Sequence, residues 1–82
     1  MKTDKLVNLA ISDNGFVFDP STGHSFTTDA VGLDILNLLK QGKDVGEITE
    51  TLLNEYAVSE NELEADILDF IHSLKNFDLV SE

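Results

Sequence analysis

The sequence predicts an α+β fold in which a three-stranded antiparallel meander precedes three helices, in the order β-β-β-α-α-α. Two patterns carry that expectation. Up to about residue 28, short apolar runs with two-residue alternation are separated by turn-forming clusters, and beyond it apolar residues recur at helical spacing. Asp29, Asp44 and Ser59 each stand where a helix N-cap belongs, the last two with a Glu three positions on. A meander followed by helix-turn-helix is a winged helix-turn-helix-like arrangement.

The strands are expected over about residues 6–28. Val7, Leu9 and Ile11 alternate with Asn8, Ala10 and Ser12, the pattern of a strand with one buried face. Asp13-Asn14-Gly15 supplies a hairpin turn, because Asn and Gly tolerate positive φ. The second strand is Phe16-Val17-Phe18. Asp19-Pro20-Ser21-Thr22-Gly23 turns the chain into a third strand, His24 to Thr28. Phe16, Phe18 and Phe26 are expected on one side of the sheet, facing the helices.

Helices are expected at about 30–41, 45–56 and 60–76. The first carries Val31, Ile35, Leu38 and Leu39 as its stripe, with Leu33 and Leu36 beside it, and Gly42 suits the position past its end. Gly32, costly inside a helix by about 1 kcal/mol, is expected to permit close packing against the sheet. The second helix is expected to bury Ile48, Leu52, Leu53 and Tyr56, and the third Leu63, Ile67, Phe70, Ile71 and Leu74. Asp78-Leu79-Val80 should turn sharply and return along the sheet or pack on the third helix.

Eighty-two residues are expected to form one domain, 1–82, with room for one binding surface. The formal net charge is -11, and nine carboxylates but no Lys or Arg lie between Asp44 and Leu74. The helix-turn-helix therefore has the wrong charge for DNA, whose phosphates are held mainly by Lys and Arg. Anionic membranes are disfavoured for the same reason, and no stretch approaches the roughly 20 apolar residues that span a bilayer. The absence of Cys removes disulfides, thiol nucleophiles and zinc ribbons, and is compatible with a cytoplasmic location.

Catalytic candidates are sparse. His24 and His72 lie on different elements, and Asp66 and Asp69 sit in an acidic helix that reads as a solvated face. The glycines form neither a phosphate loop nor a dinucleotide fingerprint. An acyl carrier would need Asp-Ser-Leu at a helix start, which the chain lacks. Neither an enzyme nor a bound cofactor or metal is expected.

Surface recognition remains. The third strand is an edge, and an extended peptide could pair with Ser25, Phe26, Thr27 and Thr28 as a fourth strand. Its alternate side chains would enter a groove flanked by Asp66, Asp69, Phe70 and Ser73, which share one side of the third helix. The acidic rim favours a basic or neutral peptide. Glu64, Leu68 and His72, on the opposite flank, are a rival surface. The same edge could pair two copies of the chain, so a monomer and an edge-strand dimer are both open.

The ordered set Phe16-Val17-Phe18-Asp19-Pro20-Ser21-Thr22-Gly23-His24-Ser25-Phe26, Gly32-Leu33-Asp34-Ile35-Leu36, Gly42-Lys43-Asp44-Val45-Gly46-Glu47-Ile48 and Asp66-Ile67-Leu68-Asp69-Phe70-Ile71, with Leu79-Val80, resembles the PqqD family, named for pyrroloquinoline quinone biosynthesis protein D. The likeness covers nearly the whole chain from Leu6. It implies a small winged helix-turn-helix recognition element for ribosomally made, post-translationally modified peptides, in which a leader lies beside strand three and against helix three. It further implies presentation of that leader to a modifying enzyme such as a radical SAM protein. The Asp-Pro-Ser-Thr-Gly hairpin resembles a branch associated with a kinase-like protein related to HPr kinase. Asp29 stands where many members have Asn, and Asp78 where Gly usually precedes the final Leu. The alternatives are docking of a folded, kinase-like partner without a peptide and, less favoured, a DNA-binding winged helix.

Overall fold

Side-chain caps set the helix starts in the computed structural model, which describes residues 2–81; Met1 and Glu82, the ends of the expected domain, lie outside the described residues. Asp29 accepts from the Gly32 amide at 2.9 Å and opens α1, Ala30–Lys40. Asp44 and Glu47 exchange both bonds of a capping box, with distances of 2.8 and 3.2 Å, at the start of α2, Val45–Leu53. Ser59 caps α3, Glu60–Asn76, by accepting from the Glu62 amide at 3.2 Å. Gly42, with φ of 86°, supplies the left-handed residue after α1.

Three short strands precede them: β1, Ala10–Ile11, β2, Phe16–Phe18, and β3, Ser25–Thr27. They form an antiparallel sheet in the order β1-β2-β3, with Ile11 opposite Val17 and Val17 opposite Phe26. The β-β-β-α-α-α meander and winged arrangement expected from the sequence are therefore present.

Two strand assignments change. Residues Asp4–Asn8 form a 3-10 helix, so the first strand is only two residues long. Leu6 and Leu9 are buried at a three-residue interval while Val7 is 68% exposed; a turn of three residues puts those two leucines on one face, where a strand would have buried Val7 and Leu9. The second correction is at β2. Val17 is fully buried, and Phe16 and Phe18 lie on the outer face, 45% and 36% exposed. Because strand side chains alternate, Val17 shares the helix-facing side with Phe26, its cross-strand partner, and the two flanking phenylalanines cannot.

The core joins Leu6, Leu9 and Val17 to Ile35, Leu36 and Leu39 of α1, Ile48 and Leu52 of α2, and Leu63, Ile67, Ile71 and Leu74 of α3. Leu36 is thus central rather than peripheral, and Leu38 only partly buried. Helix α2 ends at Leu53, three residues short of expectation. Tyr56 lies beyond it, partly buried, and donates from its hydroxyl to Asp34 of α1 at 2.7 Å. That carboxylate, together with burial, pushes the phenol up to about 12. At the far end Asp78 takes φ of 59°, turning the chain so that Leu79 donates to the Leu74 carbonyl at 2.9 Å and Leu79 and Val80 enter the core. Ser81 then bridges to Lys2 through backbone hydrogen bonds. No helix among the described residues is long and apolar enough to cross a membrane.

Candidate functional site

The sheet leaves one side of β3 unpaired, and the hydrogen-bond register says which atoms face outward. Asp19 donates to the His24 carbonyl at 2.8 Å, and Thr28 donates to the Gly15 carbonyl at 2.8 Å. Bonded pairs alternate along an antiparallel ladder, so the bonded positions are Asp19 with His24, Val17 with Phe26, and Gly15 with Thr28. The N–H and C=O of Ser25 and Thr27 therefore point away from β2, toward the open edge.

Beside that edge runs a cleft in two parts. One part, about 320 Å³, is bounded by Phe26, Thr27 and Thr28 on the strand side and by Phe70, Ser73, Leu74 and Phe77 on the other. The second, about 410 Å³, is lined by Thr28, Asp29, Val31, Gly32 and Ile35, and across from them by Asp66, Asp69, Phe70 and Ser73 of α3. The parts meet at Thr28, Phe70 and Ser73 and so form one channel between the sheet edge and the helices.

Local sequence explains the shape. Asp66, Asp69, Phe70 and Ser73 fall three and four residues apart, which puts them on one side of α3. The Ser73 hydroxyl is turned back to the Asp69 carbonyl at 3.2 Å. Phe70 is half-buried and forms the wall shared by both parts. At Gly32 a Cβ would lie 1.9 Å from the Thr28 hydroxyl and 3.1 Å from the Phe70 ring, so a side chain there would displace the residues where the parts meet. Gly15 is constrained from the other direction: its φ is 94°, and a Cβ would meet the Thr28 carbonyl oxygen at 2.2 Å. Only glycine lets the first hairpin turn approach and hold Thr28.

Of the eight residues expected at the site, Phe26, Thr27, Thr28, Phe70, Ser73, Asp66 and Asp69 line this channel. Ser25 does not line it and contributes its edge backbone. Glu64, Leu68 and His72 are exposed on α3 and border neither part. Sequence reasoning missed the contribution of α1 through Asp29, Val31, Gly32 and Ile35, and that of Phe77. Gly32 carried the available signal, although its close neighbours are Thr28, just past β3, and Phe70 of α3. Phe77 follows the end of α3 and stacks on Phe26, with ring centroids 5.4 Å apart and planes within 4°.

The two parts differ in charge. Among the described residues, the larger part is lined by three carboxylates and no basic residue, and the smaller part by no ionisable residue. Asp29 is engaged as the α1 cap. Among the described residues no ion pair or side-chain hydrogen bond engages the carboxylates of Asp66 or Asp69. Nor is there, among the described residues, a group of three or more His, Asp or Glu side chains placed to hold a metal ion.

Comparison with known proteins gives a consistent placement. The fold of TbiB1, solved in complex with the TbiA(beta) leader peptide, matches with a TM-score of 0.78 at 33% identity, over 90% of this chain and 91% of that one. Lasso peptide synthetase B1, complexed with the leader peptide, matches with a TM-score of 0.73 at 26% identity, over 83% and 81% of the respective chains. No curated protein matches. Residues 15–80 match the family described as Coenzyme PQQ synthesis protein D (PqqD), a span that takes in β2, β3, all three helices and the whole channel. With that match over most of its length and the fold shared with TbiB1, the chain belongs to the PqqD family.

Proposed function

We propose that this chain is a non-enzymatic recognition element, one domain that binds the leader of a ribosomally made precursor peptide by strand addition at β3 and presents it to a modifying enzyme. The observation that carries the reading is the outward-facing backbone of Ser25 and Thr27 directly beside a channel walled by Phe70. An added strand gains directional hydrogen bonds from the edge and specificity from alternate side chains that enter the channel. The leader complexes of TbiB1 and lasso peptide synthetase B1, proteins of the same fold, support it. Micromolar affinity requires about 8 kcal/mol, within reach of a short ladder with one or two apolar anchors.

The peptide-binding residues are Ser25, Phe26, Thr27, Thr28, Asp66, Asp69, Phe70 and Ser73. A radical SAM protein or a kinase-like protein fits the role of modifying enzyme, and an encounter with a newly made precursor places the protein in the cytoplasm. In the absence of peptide the open edge is available for pairing with a second copy.

Selection from a displayed library of random peptides of about ten residues, a length sufficient for one strand, supplies a ligand for the test. Added to isotopically labelled protein, the selected peptide is expected to slow amide hydrogen exchange at Ser25 and Thr27. Protection confined to an exposed helix face, with those two amides still exchanging freely, would replace strand addition by docking through a helix.

A further inference from the structure

We propose that the channel selects a peptide with one apolar and one basic side chain on the same face of the added strand, two positions apart, the apolar one lying against Phe26, Phe70 and Phe77 and the basic one reaching Asp66 and Asp69. The inference rests on the strand-addition reading above and specifies its ligand. An added strand projects every second side chain to the channel side, at about 6.8 Å intervals. The channel changes character over the same two-residue step of β3, since Phe26 borders its first part alone and Thr28 borders both. Beside Phe26 its walls are phenylalanine and leucine, and beyond Thr28 its rim is carboxylate over a floor of Val31, Gly32 and Ile35.

Charge complementarity fixes the second side chain. Asp66 and Asp69 have no engaged cation among the described residues, and no basic residue lines their part of the channel. A leucine there would hold two carboxylates against an apolar group, whereas a Lys or Arg can lay its methylenes on Phe70 and Val31 and keep its charge at the rim. The carboxylates are exposed, so each pair contributes modestly and is screened by salt. Together two such pairs are worth on the order of tenfold in affinity.

The test uses fluorescein-labelled, threonine-rich peptides of about ten residues carrying leucine and lysine two positions apart, in both orders, and the same peptides with glutamine or glutamate for lysine. The tighter lysine peptide is expected to bind on the order of tenfold more strongly than its glutamine counterpart at low salt, with glutamate weaker still. The difference should vanish at high salt and in the D66N/D69N protein, whose exposed substitutions spare the core. If lysine and glutamine peptides bind equally while Thr27→Pro weakens both, strand addition stands and the basic-residue inference falls. Failure of every peptide to bind overturns strand addition, and this inference with it.

Discussion

Replacing Thr27 by Pro separates recognition through the sheet edge from every other use of this surface. The Thr27 amide points outward, so proline leaves the bonded positions of the β2–β3 ladder, at Phe26 and the flanking His24 and Thr28, in place. Pro is tolerated on an edge strand where the lost N–H faces solvent. Thr27 is exposed and makes no side-chain hydrogen bond among those of the described residues, so the stability cost is that of proline's fixed φ in an extended strand, on the order of 1 kcal/mol. Binding is a different matter. The peptide carbonyl that would accept from Thr27 loses a bond worth about 1 kcal/mol, and is left against the proline ring without water at a further cost of about 1–3 kcal/mol. The sum, about 2–4 kcal/mol, corresponds to roughly 30- to 700-fold weaker binding. Fluorescence anisotropy with the labelled leucine-lysine peptide measures it, and urea denaturation checks that the variant is folded. A Thr27→Val control keeps the amide and should retain affinity. Unchanged affinity in a fully folded proline variant would refute the edge as the binding element.

Three further outcomes follow from the geometry. Gly32→Ala should cost up to about 2 kcal/mol in urea denaturation, since overpacking against Thr28 and Phe70 costs about 1–3 kcal/mol and the helix-propensity gain returns only about 1 kcal/mol, and it should weaken peptide binding by anisotropy because both displaced residues border both parts of the channel. Val17→Ala should cost about 2–3 kcal/mol in urea denaturation, as truncation of a fully buried side chain does, whereas Phe16→Ala should cost less than about 1 kcal/mol; the reverse order would contradict the face assignment of β2. The chain contains one Tyr and no Trp, so absorbance at tyrosinate wavelengths follows Tyr56 alone. Its titration should be centred near 12 and fall toward the ordinary phenol value in Asp34→Asn. Since the folded-state value is raised, the stabilisation is fully present below about pH 10, where an unfolded tyrosine begins to ionise, and is lost as pH rises through about 12.

The helical part of the fold was legible because its signals are local. Asp29, Asp44 and Ser59 carry short polar side chains at the positions where amides need acceptors, and no distant contact is required to recognise them. The sheet faces were not legible in the same way. Phe16-Val17-Phe18 is apolar on both faces, so alternation alone does not say which face is covered, and size favours the wrong one. The answer depends on what lies opposite Val17, which is a long-range fact. Near the start, Leu6-Val7-Asn8-Leu9 fits a three-residue as well as a two-residue period, and packing of Leu6 and Leu9 into the core beside α1 decided between them. At the site, the α3 contribution was visible from its spacing. The α1 contribution was not, because Val31 and Ile35 read as ordinary core positions and only the tertiary arrangement opens them onto a channel.

The contact between Gly15 and Thr28 also bears on the kinetics of recognition. By bonding the end of β3 to the first hairpin turn, it holds the template strand extended before any peptide arrives, so the ordering entropy of association falls mainly on the peptide. Differences among good ligands should then appear in residence time more than in association rate. Stiffening the peptide, for instance with proline where its amides face away from β3, should lengthen the bound lifetime without altering a single contact to the protein.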